Sequence, residues 1–236
     1  ALGVATFVPR IQGQNTGQPS TKNGEWPMYT ADLNGSKYSP LDQIGASNFS
    51  KMEVAWRFKT DNLGPRPENK LEGTPIMVKG VLYAATSQEV LALEPDTGRE
   101  LWRYKPSTNP SRRGVAFWPG DKNNPARIVF TAGPKMIGLN AATGKLDPGF
   151  GKEGEVDLAV PYDSAPVVWK NFLFLGANTG EAPRTGQPGN TRAFDARTGK
   201  PVWEFHSVPQ PGEIGHETWE GDTWKDRSGV NNWAFA

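Results

Sequence analysis

Three side chains in the sequence are suited to binding a ligand or a metal ion, although each also has an ordinary structural role. Glu181 follows a predicted strand in a glycine-rich stretch, where its carboxylate suits a hard, oxygen-seeking cation or simply an exposed turn. Arg113 precedes a predicted strand, and its guanidinium can bind a carboxylate or remain a solvated loop residue. Trp233 can stack on a planar heteroaromatic ring or fill the core beside an inner strand.

The residue counts exclude several other kinds of chemistry. The 236-residue chain has no cysteine, which rules out a disulfide scaffold, a thiolate metal site and a cysteine nucleophile. His206 and His216 belong to no metal-ligand motif, so zinc binding has little support. The 26 Lys and Arg residues balance 25 Asp and Glu residues, which argues against nucleic acid as a partner. No apolar run reaches the roughly 18 residues that a membrane-spanning helix needs.

The elements that must position these side chains are short strands arranged in a repeat. Three segments align around a Thr-Gly pair: 92–102 (ALEPDTGRELW), 138–148 (GLNAATGKLDP) and 193–203 (AFDARTGKPVW). The glycine supplies the positive φ of a tight turn, while Asp, Asn and Thr side chains bind the turn backbone. The tryptophan after the turn can lie flat between neighbouring sheets, and the second segment carries Pro148 in its place.

Runs of β-branched and aromatic residues, bounded by turn-forming residues, lie around these turns and predict strands. The predicted strands are 54–59, 74–79, 81–86, 89–93, 114–118, 126–131, 165–169, 171–176 and 230–236. About four short antiparallel strands in each unit, repeated along the chain, are typical of β-propeller blades.

The predicted fold is therefore all-β, with about three four-stranded antiparallel propeller blades and flanking strands that make a partial ring. Residues 1–25 are expected to be a flexible lead-in, and 26–236 an incomplete propeller. The blades are placed at about 74–104, 114–148 and 164–206, and a next blade is expected to start at 230–236. Closed propellers typically have about 4 to 8 blades, so either more chain exists elsewhere or the open edges pair with another chain.

Separate motifs outside the repeat resemble the quinoprotein dehydrogenases, from about residue 24 to the end of the chain. The segments that carry this resemblance are WPMY at 26–29, YSPLDQI at 38–44, LEGTP at 71–75, RGVAFW at 113–118 and the stretch 212–233. The resemblance implies the N-terminal part of an eight-bladed propeller that binds pyrroloquinoline quinone (PQQ) and Ca²⁺. It also implies a periplasmic or secreted enzyme that oxidises a sugar or another alcohol and passes electrons to a quinone or cytochrome acceptor.

The same resemblance assigns roles to individual side chains. The residues that it places against PQQ are Glu72, Arg113, Ser164, Asn178 and Trp233. It makes Glu181 a Ca²⁺ ligand. Asp163 also matches a position that faces the carboxylates of the cofactor, but like charges repel, so Ser164 is the better donor. The general base, an Asp in the family, is expected after residue 236, and the 236-residue chain alone is therefore predicted to be inactive.

The substrate class and the role of the propeller stay open at this stage. Alcohol-oxidising members usually have adjacent cysteines before the arginine, whereas residues 107–113 here read STNPSRR, which favours a glucose-dehydrogenase-like relative. The alternatives are a non-catalytic propeller scaffold and a carbohydrate-binding module that uses exposed tryptophans. A scaffold has no reason to keep Glu72, Arg113, Glu181 and Trp233 together.

Overall fold

A computed structural model describes residues 20–60, 71–179, 185–230 and 232. The predicted sites Glu181 and Trp233 lie outside these residues, as do the greater parts of the predicted lead-in and of the strand at 230–236. Within the described ranges, the strands form three four-stranded sheets, each made of consecutive antiparallel strands. No helix in those ranges is long and apolar enough to cross a membrane.

The three sheets follow one another along the chain. The first contains β1 (Ile76–Val78), β2 (Val81–Ala85), β3 (Val90–Leu93) and β4 (Glu100–Tyr104). The second contains β5 (Ala116–Trp118), β6 (Arg127–Ala132), β7 (Lys135–Asn140) and β8 (Glu155–Asp157). The third contains β9 (Val167–Trp169), β10 (Phe172–Leu175), β11 (Thr191–Asp195) and β12 (Pro201–Phe205). Short 3₁₀ turns lie at Thr21–Asn23, Phe49–Lys51 and His216–Thr218. The predicted all-β architecture of repeated antiparallel four-stranded units is confirmed.

The start of the described chain is attached to the first sheet. Trp26 and Met77 exchange two backbone hydrogen bonds of 2.9 Å, and the Glu25 carboxylate accepts the N–H of Lys79 at 2.8 Å. Glu25 and Trp26, at the boundary between the predicted lead-in and the predicted propeller, are therefore bound beside β1.

The strand predicted at 54–59 is wrong, because this segment belongs to no sheet in the described structure. Instead, Trp56 holds it against the turn of the first repeat. The Trp56 Nε1–H donates to the Pro95 carbonyl at 2.8 Å, and a Cβ atom at Gly98 would lie 2.5 Å from the ring. A residue pattern that is typical of a strand therefore belongs here to a segment outside the sheets, which one docked tryptophan holds in place.

Trp102 makes the same contact one unit later. Its ring is 9% exposed, its Nε1–H donates to the Ala141 carbonyl at 2.9 Å, and a Cβ atom at Gly144 would lie 2.5 Å from it. The glycines of the first two Thr-Gly turns thus have two functions, because each adopts a positive φ and leaves room for a tryptophan ring from an earlier segment. At the third turn, Val156 occupies the space beside Gly199.

The second sheet extends beyond its predicted end at residue 148. Pro148 cannot donate a ladder hydrogen bond, so the chain leaves the sheet there and returns as β8, which pairs with β7. Inside this detour, Phe150 is fully buried, and its ring fills the space where a Cβ atom of Gly138 would lie, at 2.6 Å. The fourth strand of this unit is therefore present but displaced along the sequence.

Arg127 provides, at the third Thr-Gly turn, the hydrogen bond to a turn carbonyl that a docked tryptophan provides at the first two turns. Its side chain is fully buried, and its Nη1–H donates to the Ala196 carbonyl at 2.6 Å, in the turn position that Ala141 occupies one unit earlier. The Nε–H donates to Asp147 at 2.6 Å, which compensates the buried charge. The guanidinium carbon lies 5.0 Å from the centroid of the Trp118 ring.

The outer strand of the third sheet is uncovered among the described residues. Trp203 occupies the position of Trp102 in the repeat, yet it is 45% exposed. Val202 and Phe205 of the same strand are also exposed. Such exposed apolar side chains on an outer strand are expected in an incomplete propeller ring.

Candidate functional site

The predicted site residues that the structure describes lie at one end of the sheets, in segments that flank the first two strands of each unit. Arg113 precedes β5, Asp163 precedes β9, and Asn178 follows β10. Because β9 and β10 are antiparallel, the residues before β9 and the residues after β10 lie at the same end of this strand pair. A cleft of about 90 Å³ opens there, lined by these three side chains and Asn232.

Glu72 and Arg113 are brought together by two closely packed loop backbones. A Cβ atom at Gly73 would lie 2.9 Å from the Arg112 carbonyl oxygen, and Gly114 has a φ of +112°. The Glu72 Oε2 atom then lies 3.9 Å from the Arg113 Nε atom. The side chains are 48% and 32% exposed, so the pair adds little stability and leaves both groups accessible.

Tyr162 and Ser164 form the buried layer behind the cleft wall. The Tyr162 phenol is hydrogen-bonded to the Ser164 side chain and accepts the N–H of Gly176. Burial raises the pKa of Tyr162 above its ordinary value, because the phenolate would lose hydration, although both hydrogen bonds and the charge of Arg113 oppose this shift. The Thr131 hydroxyl donates to the Ser164 carbonyl at 3.0 Å, which ties this layer to the second sheet.

Asn178 and Asn232 form another part of the cleft lining. The Asn178 N–H donates to the Pro161 carbonyl at 2.7 Å, and the Asn232 N–H donates to the Ala177 carbonyl at 3.2 Å. A Cβ atom at Gly176 would lie 2.7 Å from the Asn232 Cβ atom, so only glycine permits this close packing. Both amide side chains therefore stand on backbone that is held in place by hydrogen bonds.

The structure unites some of the predicted site residues and separates others. Glu72, Arg113 and Asn178 lie in or beside one cleft. Ser164 is 3% exposed and is not one of the lining residues, whereas Asp163 lines the cleft directly. The assignment of Ser164 as a PQQ contact stays a prediction, as do the roles of Glu181 and Trp233.

Two residues at the site were missed by the sequence reasoning. Asn232 lines the cleft and Tyr162 supports its wall. Asn232 is adjacent to Trp233 in the sequence, which was a usable signal, but nothing in the sequence marks Tyr162. Among the described residues, no group of three or more His, Cys, Asp or Glu side chains lies close enough together to hold a metal ion.

The cleft combines one guanidinium, two amides and one carboxylate. The first three groups can donate hydrogen bonds to anionic or carbonyl oxygen atoms, and Asp163 suits a cation or a donor group. Such a donor set suits a small polar ligand that has several oxygen atoms and is accompanied by a positive ion.

Comparison with known proteins identifies the family of the chain. Residues 26–236 match the PQQ family described as glucose/ethanol/alcohol dehydrogenase, beta-propeller domain. The dehydrogenase subunit of the quinone-dependent alcohol dehydrogenase of Gluconobacter oxydans is 35% identical over 89% of this chain and 29% of its own length. A quinoprotein glucose dehydrogenase of the same organism is 34% identical over 80% of this chain and 28% of its own length.

A solved europium-containing methanol dehydrogenase has a TM-score of 0.64 and 25% identity, over 85% of this chain and 38% of that protein. The chain thus spans less than two fifths of the length of each of these proteins. The family match covers the three sheets and the cleft between them. The chain belongs to the PQQ-dependent glucose/ethanol/alcohol dehydrogenase β-propeller family.

Proposed function

We propose that the full-length protein is a PQQ- and calcium-dependent dehydrogenase that oxidises the hydroxyl group of a sugar or another alcohol. The observation that carries this proposal is the convergence of Arg113, Asn178 and Asn232 on one cleft, within a chain of the quinoprotein family. Each of these three side chains stands on a different segment, so the cleft depends on the correct packing of the second and third sheets.

The residues of the cleft fit an acidic quinone. PQQ is a planar quinone with three carboxylates, and the guanidinium and the two amides offer hydrogen-bond donors to such oxygen atoms. The carboxylate of Asp163 repels an anion but suits the metal ion that would accompany it. When bound, PQQ supplies the two-electron acceptor and Ca²⁺ polarises its carbonyl group.

The residues of this chain would bind and orient the cofactor. Arg113 would offset negative charge on its oxygen atoms, and Asn178 and Asn232 would fix its position through their amides. Trp233 is proposed as the floor under its ring, and Glu181 as a metal ligand. The general base is expected outside this chain, so the chain supplies cofactor binding rather than proton transfer.

The substrate and the electron acceptor are proposed from the similar proteins and from the sequence before Arg113. The similar proteins include both a quinone-dependent alcohol dehydrogenase and a quinoprotein glucose dehydrogenase, at 35% and 34% identity. We propose a glucose-like sugar as the first substrate to test, because residues 107–113 lack the adjacent cysteines that are usual in alcohol-oxidising members. The proposed acceptor is a quinone or a cytochrome. A periplasmic or secreted location, and further blades or another chain packed on the face of Trp203, belong to the same proposal.

The test is reconstitution of the full-length protein with PQQ and Ca²⁺, followed by dye reduction with glucose, other aldoses, ethanol and methanol. We expect dye reduction with at least one of these substrates and none by the 236-residue chain alone. Inactivity across the whole panel would overturn the proposal. Binding of an aldose without any response to PQQ would favour the carbohydrate-binding alternative instead.

A further inference from the structure

We propose that Arg192 is a positioning residue of the PQQ site, which joins the two segments that form one wall of the cleft. This inference rests on the proposed function, because it concerns how the same cleft is held in shape. Arg192 lies on β11 and was not singled out by the sequence reasoning, since a charged residue within a strand is ordinarily exposed.

The guanidinium of Arg192 is buried and makes two hydrogen bonds to backbone carbonyl groups. Arg192 is 8% exposed. Its Nη2 atom donates to the Val160 carbonyl at 2.8 Å and to the Gly176 carbonyl at 2.7 Å. Val160 lies three residues before Asp163, and Gly176 lies two residues before Asn178. One side chain therefore links the two segments that carry cleft-lining residues.

The other bonds between these segments converge on the same point. The Gly176 N–H donates to the phenol of Tyr162, so both the N–H and the carbonyl of Gly176 are bound by buried side chains. The Asn178 N–H donates to the Pro161 carbonyl at 2.7 Å. Removing Arg192 would leave two buried carbonyl groups without their donor, and the segments would separate or rotate to regain partners.

Arg127 provides a matched control. It is also a buried arginine, with no exposed surface, and it donates to the backbone carbonyl groups of Ala196 and Arg197 at 2.6 and 2.8 Å. Its contacts join the second sheet to the turn of the third, and none of them involves a residue that lines the cleft. A change at Arg127 therefore tests the loss of a buried arginine without altering the cleft wall.

The experiment uses the full-length apoprotein with Arg192→Gln and, separately, Arg127→Gln. The dissociation constant of PQQ is measured by quenching of tryptophan fluorescence, and Tm of each apoprotein is measured independently. We expect both variants to lower Tm, whereas only Arg192→Gln weakens PQQ binding, by about tenfold, as for loss of charged hydrogen bonds. Arg192→Lys keeps the charge and should weaken binding less, by about threefold.

Two results would overturn the inference: unchanged PQQ affinity in the Arg192 variants, or an equal loss of affinity in Arg127→Gln. If Arg192→Gln does not accumulate as folded protein, Arg192→Lys decides by the same criterion. Absence of PQQ binding by the unmodified protein would instead refute the proposed function, so the two failures are distinguishable.

Discussion

Replacing Gly144 by alanine should destabilise the protein much more than the same change at Gly80. Both glycines have a positive φ, of +68° and +75°. The difference between them is their surroundings. An added Cβ atom at Gly144 would lie 2.5 Å from Trp102 Cδ2, whereas one at Gly80 would meet no atom within 4 Å.

The magnitude follows from two separate costs. An alanine in the left-handed region costs about 1–2 kcal/mol at either position. At Gly144, the methyl group also has to displace a buried indole ring, and such overpacking adds about 1–3 kcal/mol. We therefore expect a loss of about 1–2 kcal/mol for Gly80→Ala and about 2–5 kcal/mol for Gly144→Ala. Gly98→Ala should resemble Gly144→Ala, because its Cβ atom would lie 2.5 Å from the Trp56 ring.

The assay is equilibrium unfolding of the full-length protein in urea, with the free energy of unfolding compared at equal m-values. Gly80→Ala serves as the control for backbone strain alone. If Gly144→Ala and Gly80→Ala lose the same free energy within about 0.5 kcal/mol, docking of Trp102 on the turn does not limit stability.

Three further changes test other parts of the structure. Hydrogen bonds from Arg197 hold the pKa of Asp195 below its usual range, so this carboxylate stabilises the fold at neutral pH, and the effect disappears as the pH falls through that lowered pKa. Asp195→Asn should therefore lose about 1 kcal/mol at pH 7, and thermal unfolding should show the gap closing as the pH falls through the lowered pKa of Asp195; a constant gap would contradict this. Arg127→Met should cost about 3–5 kcal/mol in urea unfolding, because it leaves Asp147 buried without its partner, and a cost below about 1 kcal/mol would refute that role. Glu181→Ala should weaken Ca²⁺-dependent reconstitution with PQQ, and unchanged metal dependence would reject Glu181 as a ligand.

The repeat could be predicted from sequence because its turns have a strict chemical requirement. A Thr-Gly pair after an acidic or Asn residue needs a positive φ, and the strands on either side are short and apolar. The structure has the turns at Gly98, Gly144 and Gly199, each with a positive φ. Local chemistry of this kind does not depend on the rest of the fold.

Contacts between distant segments could not be predicted in this way. Residues 54–59 have the composition of a strand, but whether they pair depends on a neighbour that the local sequence does not specify. Arg127 has no distinguishing feature in the sequence. Only the fold places it against Ala196, in the turn of the third unit, and the second unit has Pro148 where a docking tryptophan would stand.

The candidate site also contains residues that the sequence could identify and residues that it could not. Glu72, Arg113 and Asn178 were identified through a family resemblance, and the structure gathers them around one cleft. Tyr162 and Arg192 act through hydrogen bonds to backbone groups, which leave no characteristic spacing in the sequence. Supporting residues of this type become visible only once the chain is folded.

The measurement that tests the central claim most directly is a titration of the full-length apoprotein with PQQ, in the presence and absence of Ca²⁺. We expect saturable binding that Ca²⁺ strengthens, and a dissociation constant about tenfold higher for Arg113→Gln, since a charged hydrogen-bond donor is lost. Arg112→Gln, beside it in the sequence but absent from the cleft lining, should bind PQQ as the unmodified protein does. Absence of saturable PQQ binding, or equal affinity of the Arg113→Gln and unmodified proteins, would contradict the account.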